Sequence, residues 1–428
     1  MNIEALHKLF LKHPSVSTDT RRITQDCMFF ALKGNSFNGN TFAKEALSKG
    51  AKYAIIDDSK YALNANYILV DNVLKTLQNL AKFHRQYLGL KIIALTGSNG
   101  KTTTKELINA VLKKNYNTLA TDGNLNNHIG VPLTLLSMDN TTEIGIVEMG
   151  ANHLKEIEFL CSIAQPDYGY ITNFGKAHLE GFGSVEGVIK GKSELYDYLK
   201  RNEKLIFVNS KDDIQTKQLK GYENTYSFGN SNDQDSNIAL VNAQPFVKVT
   251  YNNSTIESQL IGRYNFNNIA AAIAFGQYFE VEVTDIVNAI ESYLPESNRS
   301  QIIKKGSNTI ILDAYNANPT SMKAALENFE KQKDIFKIAI LGDMFELGTD
   351  TQKEHQYIVD LASTMPFIHL ILIGETFNIT KIVSPKISAF KSFQDFKTNF
   401  NFSQLDKATI LIKGSRGMAL ERVLELIE

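Results

Sequence analysis

Glycine, lysine and threonine crowd into one short stretch of the chain, KIIALTGSNGKTTTKE at residues 91–106. A strand is predicted to end at Leu95, the loop turns on Gly97 and Gly100, and a helix is predicted to begin near Lys101. Glycines let a backbone approach a phosphate closely, and the free N–H groups of a helix N-terminus attract anions. Lys101 would reach the β- and γ-phosphates of a nucleotide, and the Thr102 hydroxyl would ligate Mg²⁺. The stretch therefore predicts a phosphate-binding loop.

This loop departs from the general pattern G-x-x-x-x-G-K-[ST] at its first glycine. The pattern requires glycine at position 95, whereas this chain has Leu95 and places its glycine at Gly97. An ordinary glycine-rich turn between a strand and a helix is the alternative interpretation. The strand–loop–helix context and the Gly-Lys-Thr-Thr ending favour the phosphate loop.

A carboxylate suited to the metal of a bound nucleotide follows in EIGIVEMGAN, where a buried strand is predicted to end at Glu148. The carboxyl ends of parallel strands meet at one edge of a sheet, so we expect Glu148 beside the phosphate loop. There it would bind Mg²⁺ directly or through water. Taken alone, Glu148 is equally consistent with a surface carboxylate at a strand tip.

A histidine and a lysine follow the next predicted strand. The segment YGYITNFGKAHLEGFGS is predicted to end a strand at Asn173 and to present His178 and Glu180 at the same sheet edge. Most lone histidines are structural, but one beside a nucleotide site is a candidate ligand. Lys192 lies on the helix predicted next. Most lysines are solvated, but a site that lowers the pKa of the amine makes it nucleophilic.

The elements that must position these residues fall into three zones. Up to about Gly89, the runs CMFFAL, YAIID and YILV are predicted strands, and residues 73–87 are predicted to form an amphipathic helix. From Lys91 to about Pro295, apolar strands alternate with helical stretches, which predicts a parallel α/β sheet. Near Arg299, a third series of buried strands and helices begins.

Two segments differ from this plain alternation. Between Gly221 and Leu260, short alternating segments predict a small antiparallel patch, with a loop at residues 229–237. The final SRGMALERVLELI has a helical pattern. We predict an α/β protein of three domains: a small N-terminal α/β domain at residues 1–89, a central phosphate-loop domain with a parallel sheet at 90–296, and a C-terminal Rossmann-like domain at 297–428.

Composition excludes several classes of protein. The 428 residues are too many for one core, and 45 basic against 46 acidic residues leave no charge excess for a nucleic-acid or membrane partner. Cys27 and Cys161 are too few and too far apart to suggest a disulfide framework or a multi-cysteine metal site. The N-terminus lacks a signal-peptide core, and no apolar stretch approaches the roughly 20 residues of a membrane span. We therefore expect a cytoplasmic protein.

Long, ordered segments throughout the chain resemble the Mur ligases, cytoplasmic amide-forming enzymes of peptidoglycan precursor synthesis. TGSNGKTTTKE, GNLNNHIGVPLTLL, VEMGAN, TNFGKAHLEGFGS and GKSE resemble their ATP-binding core. STDTRRI, MFFALKGNSFNGN and KGAKYAIID resemble their UDP-binding domain. DAYNANPTSM, LGDMFELG and KGSRGM resemble the branch that adds D-Ala-D-Ala to UDP-MurNAc-tripeptide. The resemblance implies a ligase that activates the tripeptide carboxylate as an acyl phosphate and then closes its C-terminal domain.

The resemblance also implies which residues hold ATP and two Mg²⁺ ions. Thr102 and Glu148 would serve one ion, and His178 and a Lys192 carbamylated by CO₂ would serve the second. Lys101, His178 and Lys192 would be catalytic. The ATP-binding residues would be Gly97, Ser98, Asn99, Gly100, Lys101, Thr102, Thr103, Asn268 (at the adenine), Arg299 and Asp313.

Further positions fall on the segments that bind the other substrates. Asn126 and Asn127 would lie near the acyl end of the UDP-MurNAc-tripeptide, and Tyr315 and Asn316 would close over the nucleotide and the incoming amine. The UDP-binding positions would be Thr18, Asp19, Thr20 and Arg21. The resemblance implies small-molecule substrates. The charge balance predicts no nucleic-acid or membrane partner, and nothing in the sequence suggests more than a monomer.

Two places depart from the family pattern. The chain has Asn38-Gly39-Asn40 where the family often has Asp-Gly-His. Asp313 is followed by Ala314 where the family often has a second acidic residue. These departures weaken individual contacts rather than the resemblance as a whole.

Other functions stay open at this point. A Mur-type ligase that adds a single amino acid, or a folylpolyglutamate synthase, has the same architecture, but DAYNANPTSM and LGDMFELG argue against both. A phosphate-loop ATPase or nucleotide switch is a different class. It would leave His178, Lys192 and the whole third zone without a purpose. Whether the tripeptide ends in diaminopimelate or lysine is also open.

Overall fold

Three β-sheets follow one another along the chain in the computed structural model, which describes residues 2–295 and 298–427. Helices cover these mainly parallel sheets, so the predicted α/β class is confirmed. The predicted division between residues 296 and 297 falls outside the described residues. Both predicted domain boundaries stay predictions.

The first sheet contains four short strands that pair in parallel and in chain order. Its strands are β1 (Val16–Ser17), β2 (Met28–Phe30), β3 (Tyr53–Ile56) and β4 (Tyr67–Leu69), and its helices are α1 (Ile3–Lys12), α2 (Ala43–Ser48) and α3 (Val73–Leu88). Single 3₁₀ turns lie at Thr20–Arg22, Gly39–Phe42 and Ser59–Tyr61.

Helix α3 forms where the sequence predicts a helix, and its ends explain its length. The Asn72 side chain accepts a hydrogen bond from the Lys75 N–H at the start, and Gly89 adopts a left-handed conformation at the end. Its apolar face, which includes Leu77 and Leu80, belongs to a core shared with the central sheet. The first domain is therefore packed against the central one through buried side chains.

The central sheet has nine strands in the order β13-β12-β11-β10-β9-β8-β5-β7-β6. The strands are β5 (Lys91–Thr96), β6 (Thr118–Ala120), β7 (Ile144–Glu148), β8 (Tyr168–Ile171), β9 (Leu205–Asn209), β10 (Thr225–Gly229), β11 (Ser236–Asn242), β12 (Lys248–Tyr251) and β13 (Ser254–Glu257). The helices are α4 (Lys101–Leu112), α5 (Gly130–Leu136), α6 (Glu156–Ala164), α7 (Leu179–Phe182), α8 (Val185–Arg201), α9 (Asp213–Gln218), α10 (Asn265–Tyr278) and α11 (Val283–Ser292).

The expected antiparallel patch is only partly correct. β10 pairs in parallel with β9, and β11 pairs in parallel with β10, so both continue the central sheet. Only β11, β12 and β13 pair antiparallel, and they extend the sheet rather than forming a separate patch. Periodicity within a strand does not encode its partner, because pairing depends on residues far away in sequence.

The third sheet has six strands in the order β14-β15-β19-β16-β17-β18, all parallel except β14. The strands are β14 (Gln301–Lys305), β15 (Asn308–Asp313), β16 (Lys337–Gly342), β17 (His369–Ile373), β18 (Ile387–Phe390) and β19 (Thr409–Lys413). The helices are α12 (Pro319–Glu330), α13 (Thr351–Ser363), α14 (Glu375–Asn378) and α15 (Phe393–Asn399), with 3₁₀ turns at Gly348–Asp350 and Phe402–Leu405.

Several predicted details of the elements are corrected by the structure. The helical pattern at the C-terminus forms two 3₁₀ segments, Arg416–Met418 and Leu420–Leu426, rather than an α-helix. They are separated by Ala419, whose φ of 49° interrupts a regular helix. Strand β5 extends one residue past the predicted end, to Thr96, and β8 ends before Asn173, at Ile171. Within residues 2–295 and 298–427, every helix is too short or too polar to span a membrane.

Candidate active site

A cleft of about 1140 Å³ opens where the three domains meet. Strand β5 lies between β7 and β8, so the connections leave it in opposite directions and a crevice forms at its carboxyl end. The phosphate loop forms the floor of this crevice. Leu74 and Gln78 of α3 contribute from the first domain, and residues between Arg299 and Lys413 contribute from the third.

The conformation of the phosphate loop requires its glycines. Gly97 has a φ of 144°, and a Cβ atom there would lie 2.0 Å from the Thr172 Oγ1. Gly100 has a φ of 79° and directly precedes α4. Both values lie in a region that side chains disfavour. The shift of the first glycine from position 95 to Gly97 therefore still produces a strand–loop–helix bend.

Side chains and backbone after β8 hold the tip of this loop in place. The Asn99 N–H donates to the Asn173 Oδ1 at 3.0 Å, and the Asn99 carbonyl accepts from the Thr172 hydroxyl at 2.6 Å. The Ser98 hydroxyl donates to the Gly175 carbonyl at 2.9 Å. These bonds come from one neighbouring connection of the same domain, so the loop is shaped before any ligand arrives.

The first turn of α4 points positive groups at the cleft. The N–H groups of a first helical turn have no partner within the helix and favour an anion. The Lys101 ammonium donates to the Gly97 carbonyl at 2.7 Å. Burial lowers the pKa of Lys101, the charge of Glu148 opposes this, and the charge of Arg299 lowers the pKa further. An anion beside Lys101 would relieve both lowering effects.

Thr102 and Glu148 meet beneath the loop, as the sequence predicts. The Thr102 hydroxyl donates to the Glu148 Oε2 at 2.8 Å, and the Asn126 Nδ2 donates to the Glu148 Oε1 at 2.8 Å. Mg²⁺ binds oxygen ligands at about 2.1 Å in octahedral geometry, so two neighbouring ligands lie about 3 Å apart. The Thr102 and Glu148 oxygens fit that spacing, and Mg²⁺ usually takes few protein ligands beside phosphates and water.

His178 also lines the cleft, in a left-handed conformation with a φ of 53°. Its Nδ1 lies 2.5 Å from the Glu346 Oε2 of the third domain, off the direction of an N–H bond. Among the described residues, no three His, Cys, Asp or Glu side chains converge as a metal-binding group. The predicted second metal pair, His178 and Lys192, thus depends on non-protein ligands as well.

Lys192 is fully buried on α8, behind the cleft wall rather than in its lining. Its ammonium donates to the Ala151 carbonyl at 3.1 Å and lies 5.2 Å from the centre of the Phe182 ring. Burial lowers the pKa of Lys192 well below its usual value, and the charge of Lys101 adds to the effect. A lower pKa makes the neutral amine, which is the nucleophilic form, easier to reach.

The third domain lines the cleft with paired charges. Asp313 and Lys413 end neighbouring parallel strands, and their Oδ2 and Nζ atoms lie 2.6 Å apart. The Arg299 guanidinium stacks 3.6 Å from the centre of the Tyr315 ring, and its buried Nε has no hydrogen-bond partner among the described residues. That free donor makes Arg299 a candidate to bind an anionic ligand.

Comparison with known proteins now decides the family. Three family models match in order: the Mur ligase family catalytic domain at residues 14–85, the Mur ligase middle domain at 95–276, and the Mur ligase glutamate ligase domain at 298–416. UDP-N-acetylmuramoyl-tripeptide–D-alanyl-D-alanine ligase from Bacillus subtilis is 35% identical over 96% of this chain and 93% of its own length. The chain belongs to the Mur ligase family. The same-named enzyme of Escherichia coli is 31% identical over 97% of this chain and 93% of its length.

Solved structures agree with this Mur ligase along its whole length. MurF from Acinetobacter baumannii superimposes with a TM-score of 0.83 at 30% identity, covering 96% of this chain and 92% of its own. MurF ligase from Thermotoga maritima in complex with ADP has a TM-score of 0.82 at 27% identity, covering 97% of both chains. The arrangement of three α/β domains is therefore that of the family.

The Mur ligase cleft collects most of the residues predicted from sequence. It does not include Gly97, Lys192 or the UDP-binding segment of Thr18, Asp19, Thr20 and Arg21. Those predicted residues that do line it are Ser98, Asn99, Gly100, Lys101, Thr102, Thr103, Asn126, Asn127, Glu148, His178, Asn268, Arg299, Asp313, Tyr315 and Asn316.

Some of these cleft residues also make hydrogen bonds within the protein. The Asn268 Oδ1 accepts from the Thr104 hydroxyl at 3.0 Å, and the Asn127 Oδ1 accepts the N–H groups of Ile129 and Gly130 before α5. Such bonds leave the amide groups of Asn127 and Asn268 only partly free for a ligand. Both side chains are nevertheless fixed in position.

The predicted UDP-binding segment lies in the first domain, outside the lining of the cleft. Asp19 accepts the Arg21 N–H at 2.9 Å and pairs with the Arg21 guanidinium at 2.7 Å. The departure at Asn40 lies elsewhere: its side chain is fully buried and donates to the Asp57 Oδ1 at 2.9 Å. Asp57 also pairs with Lys33 at 2.8 Å, so Asn40 supports a charged pair.

Sequence reasoning missed residues that connect the domains. The Asn318 Nδ2 donates to the Asn99 Oδ1 at 2.7 Å, which ties the third domain to the phosphate loop. Lys413 stands beside Asp313 only because β15 and β19 are neighbours. A charge at the end of a predicted buried strand was the available signal for Lys413. No signal along the chain could have paired Asn318 with Asn99, which are 219 residues apart.

Proposed function

We propose that this Mur ligase uses ATP to join D-Ala-D-Ala to a UDP-MurNAc-tripeptide through an acyl-phosphate intermediate. The observation that carries the proposal is the floor of the cleft, where Lys101 and the Thr102–Glu148 pair lie beneath a roof from the third domain. The names of the full-length relatives support the choice of substrates. Amide formation from a carboxylate is unfavourable in water, so the carboxylate must first be activated.

Activation brings two anions together, the tripeptide carboxylate and the γ-phosphate. Lys101 and the N–H groups of the loop offset this repulsion, because they are already aimed at the developing charge. Lys101 leaves the Gly97 carbonyl to contact the phosphates. The adenine lies at Asn268, and Arg299 contributes its free Nε to the nucleotide. Glu148 stays oriented by Asn126 throughout.

Two Mg²⁺ ions would neutralise phosphate charge when bound. Thr102 and Glu148 would hold one, and His178 and Lys192 would hold the other. Burial favours the neutral form of the Lys192 amine, and that form is suited to add to CO₂, with formation of an N–C bond and release of a proton. The resulting carbamate would present anionic oxygens in place of a cation.

The second half-reaction needs a neutral amine and little water. The amine of D-Ala-D-Ala attacks the acyl carbon, the phosphate leaves, and the amine gives up a proton. Tyr315 and Asn316 face this part of the cleft, and Asp313 is held by Lys413. Contacts such as Asn318 to Asn99 bring the third domain over the loop, which protects the intermediate from hydrolysis.

The remaining assignments concern the two ends of the UDP-MurNAc-tripeptide and the compartment and oligomeric state of the enzyme. We assign residues Thr18, Asp19, Thr20 and Arg21 to the UDP end, and Asn126 and Asn127 to the peptide end near the phosphate loop. The enzyme acts as a cytoplasmic monomer.

An ADP-release assay tests the proposed reaction. Purified enzyme is given ATP, Mg²⁺ and UDP-MurNAc-tripeptides that end in diaminopimelate or lysine, each with D-Ala-D-Ala, single amino acids or glutamate. We expect ADP release and a UDP-MurNAc-pentapeptide only with D-Ala-D-Ala. Release that needs no amine would indicate an ATPase, and release with a single amino acid or glutamate would indicate one of the other ligases.

A further inference from the structure

The connection between β8 and α7, residues 172–178, is touched by two domains. It carries His178 into the cleft, and it also receives side chains from the third domain. The Lys176 N–H donates to the Thr320 Oγ1 at 3.0 Å, and the Lys176 ammonium lies 2.6 Å from the Glu354 Oε1. The third domain therefore makes contacts within two residues of His178.

Glu346 of the third domain contacts the end of this connection and the start of α7 through both its backbone and its side chain. Its backbone carbonyl accepts the Glu180 N–H at 3.2 Å, and its Oε2 lies 2.5 Å from the His178 Nδ1. The Nδ1 atom is buried and has no aligned hydrogen-bond partner in residues 2–295 and 298–427, although this carboxylate lies beside it. Hydrogen bonds in ligand-free active sites are often misaligned and tighten when substrates bind.

Both residues of this contact have strained backbones. His178 has a φ of 53° and Glu346 a φ of 63°, values that are uncommon for residues with a Cβ atom. Strained residues persist where the surrounding structure enforces them, and they concentrate at functional sites. Here two of them face each other across a domain interface.

The segment that presents Glu346 is firmly anchored in the third domain. Asp343 accepts the N–H groups of Thr376 and Phe377, each at 2.9 Å. The Met344 N–H donates to the His355 Nε2 at 3.0 Å, and Leu347 is buried in the core. The LGDMFELG motif is thus a rigid arm whose Glu346 points out of its own domain.

We propose that Glu346 is a positioning residue that orients the imidazole of His178 when the third domain is seated. A carboxylate that accepts the Nδ1–H fixes the ring and leaves Nε2 as the open lone pair, as for many metal-binding histidines. His178 is then ready only in the closed enzyme. This inference rests on the role of His178 in the proposed function. It adds a reason why activation of the tripeptide carboxylate requires closure of the third domain.

The Lys176–Glu354 pair provides a control contact. Because the Glu354 side chain is only 4% exposed, correct folding of Glu354→Ala is verified by circular dichroism before the comparison. The pair also joins the third domain to this connection, but it does not touch the imidazole. If Glu346 merely helps to hold the domains together, Glu346→Ala and Glu354→Ala should behave alike. The Glu346 side chain is half-exposed, at 49%, so its replacement is not expected to prevent folding.

The first measurement is the ring state of His178 in the full-length protein. Ring ¹⁵N shifts distinguish a proton on Nδ1 from one on Nε2, and a His178→Gln variant identifies its signal among the eight histidines. We expect an Nδ1–H ring in the wild type, a different tautomer mixture in Glu346→Ala, and the wild-type signal in Glu354→Ala. An unchanged signal in Glu346→Ala would overturn the proposal.

The second measurement separates positioning from docking by kinetics. Glu346→Ala should lower kcat by up to about tenfold, the low end for groups that orient a metal-binding side chain and no more than the loss in His178→Ala. Glu346→Gln keeps an oxygen acceptor and should recover part of this loss, whereas Glu354→Ala should mainly raise the KM for the amine. Equal effects of the two alanine variants would reduce Glu346 to a docking contact. The ring signal can be read even if the ligase assay fails, so the two proposals can fail separately.

Discussion

The floor and the roof of the cleft are built in different ways. The phosphate loop is held by bonds from Thr172 and Asn173 of its own domain, and Thr102 is only 6% exposed. The His178–Glu346 contact, in contrast, joins two domains through strained residues. A floor formed within one domain can bind nucleotide at any time. A roof shared by two domains makes the chemistry depend on closure.

The largest expected loss of activity comes from a substitution in the phosphate loop, which forms the floor of the cleft. Lys101→Ala removes the charge nearest the transferred phosphate and should lower kcat about a thousandfold. Steady-state ADP release measures this, and nucleotide binding measured by calorimetry reports the ground state. Lys113→Ala, at an exposed position, is the control and should leave kcat unchanged. Lys105→Ala would be a poor control because Lys105 is buried. Full activity in Lys101→Ala would remove the phosphate-loop role.

A change behind the cleft wall should have the next largest effect. Lys192→Ala should lower kcat about 100-fold if Lys192 supplies a metal ligand as a carbamate. Short carboxylic acids should restore part of the rate, because they return an anionic oxygen to the space. Lys190→Ala, at an exposed position of the same helix, should have no such effect. A Lys192→Ala enzyme as fast as the wild type would end the carbamate proposal.

The roof is tested most directly at His178. His178→Ala should lower kcat about tenfold and raise the Mg²⁺ concentration needed for half-maximal activity. His128→Ala replaces another imidazole of the cleft and should leave the Mg²⁺ dependence unchanged. A Mg²⁺ titration of each variant decides the matter. If His178→Ala follows the wild-type curve, His178 is not a metal ligand.

A second contact between domains, which is buried and involves no strained backbone, can be compared with the His178–Glu346 contact. The His84 Nε2 lies 2.9 Å from the Met138 carbonyl and must donate to it, so its Nδ1 accepts from the His7 Nε2 at 3.0 Å. Burial, together with the charge of His84, lowers the pKa of His7 to about 4, and burial lowers that of His84. The aromatic rings of Phe10, Phe83 and Tyr87 surround His7. The hydrogen bond to the Met138 carbonyl and the charge of Asp139 both oppose the lowering of the His84 pKa.

This pair should make the first domain sensitive to acid. The folded protein keeps His7 neutral down to about pH 4, whereas the unfolded chain takes up its proton near pH 6.5. Stability is therefore complete above pH 6.5 and falls between pH 6.5 and 4, by roughly 2 kcal/mol. Hydrogen exchange of α1 measures the loss. His7→Gln keeps a donor without titrating, so an equal pH dependence in that variant would contradict this explanation.

Local sequence accounts for much of the site. Two glycines, a lysine and a threonine predicted the phosphate loop, because backbone freedom and charge act within a few residues. Glu148 was also placed correctly, because a buried run that ends in a carboxylate brings it to the edge shared by parallel strands. Strand pairing was less predictable: β10 and β11 joined the central sheet although their pattern suggested an antiparallel patch.

The sequence by itself thus determined the chemistry that the floor can perform, since its groups lie close together along the chain. Only the tertiary structure decided what meets them. It buried Lys192 behind the wall, paired Asp313 with Lys413 and brought Glu346 to His178. These contacts join distant residues, and their energies come from burial and charge that no local pattern records. The dependence of the site on domain closure therefore belongs to the fold.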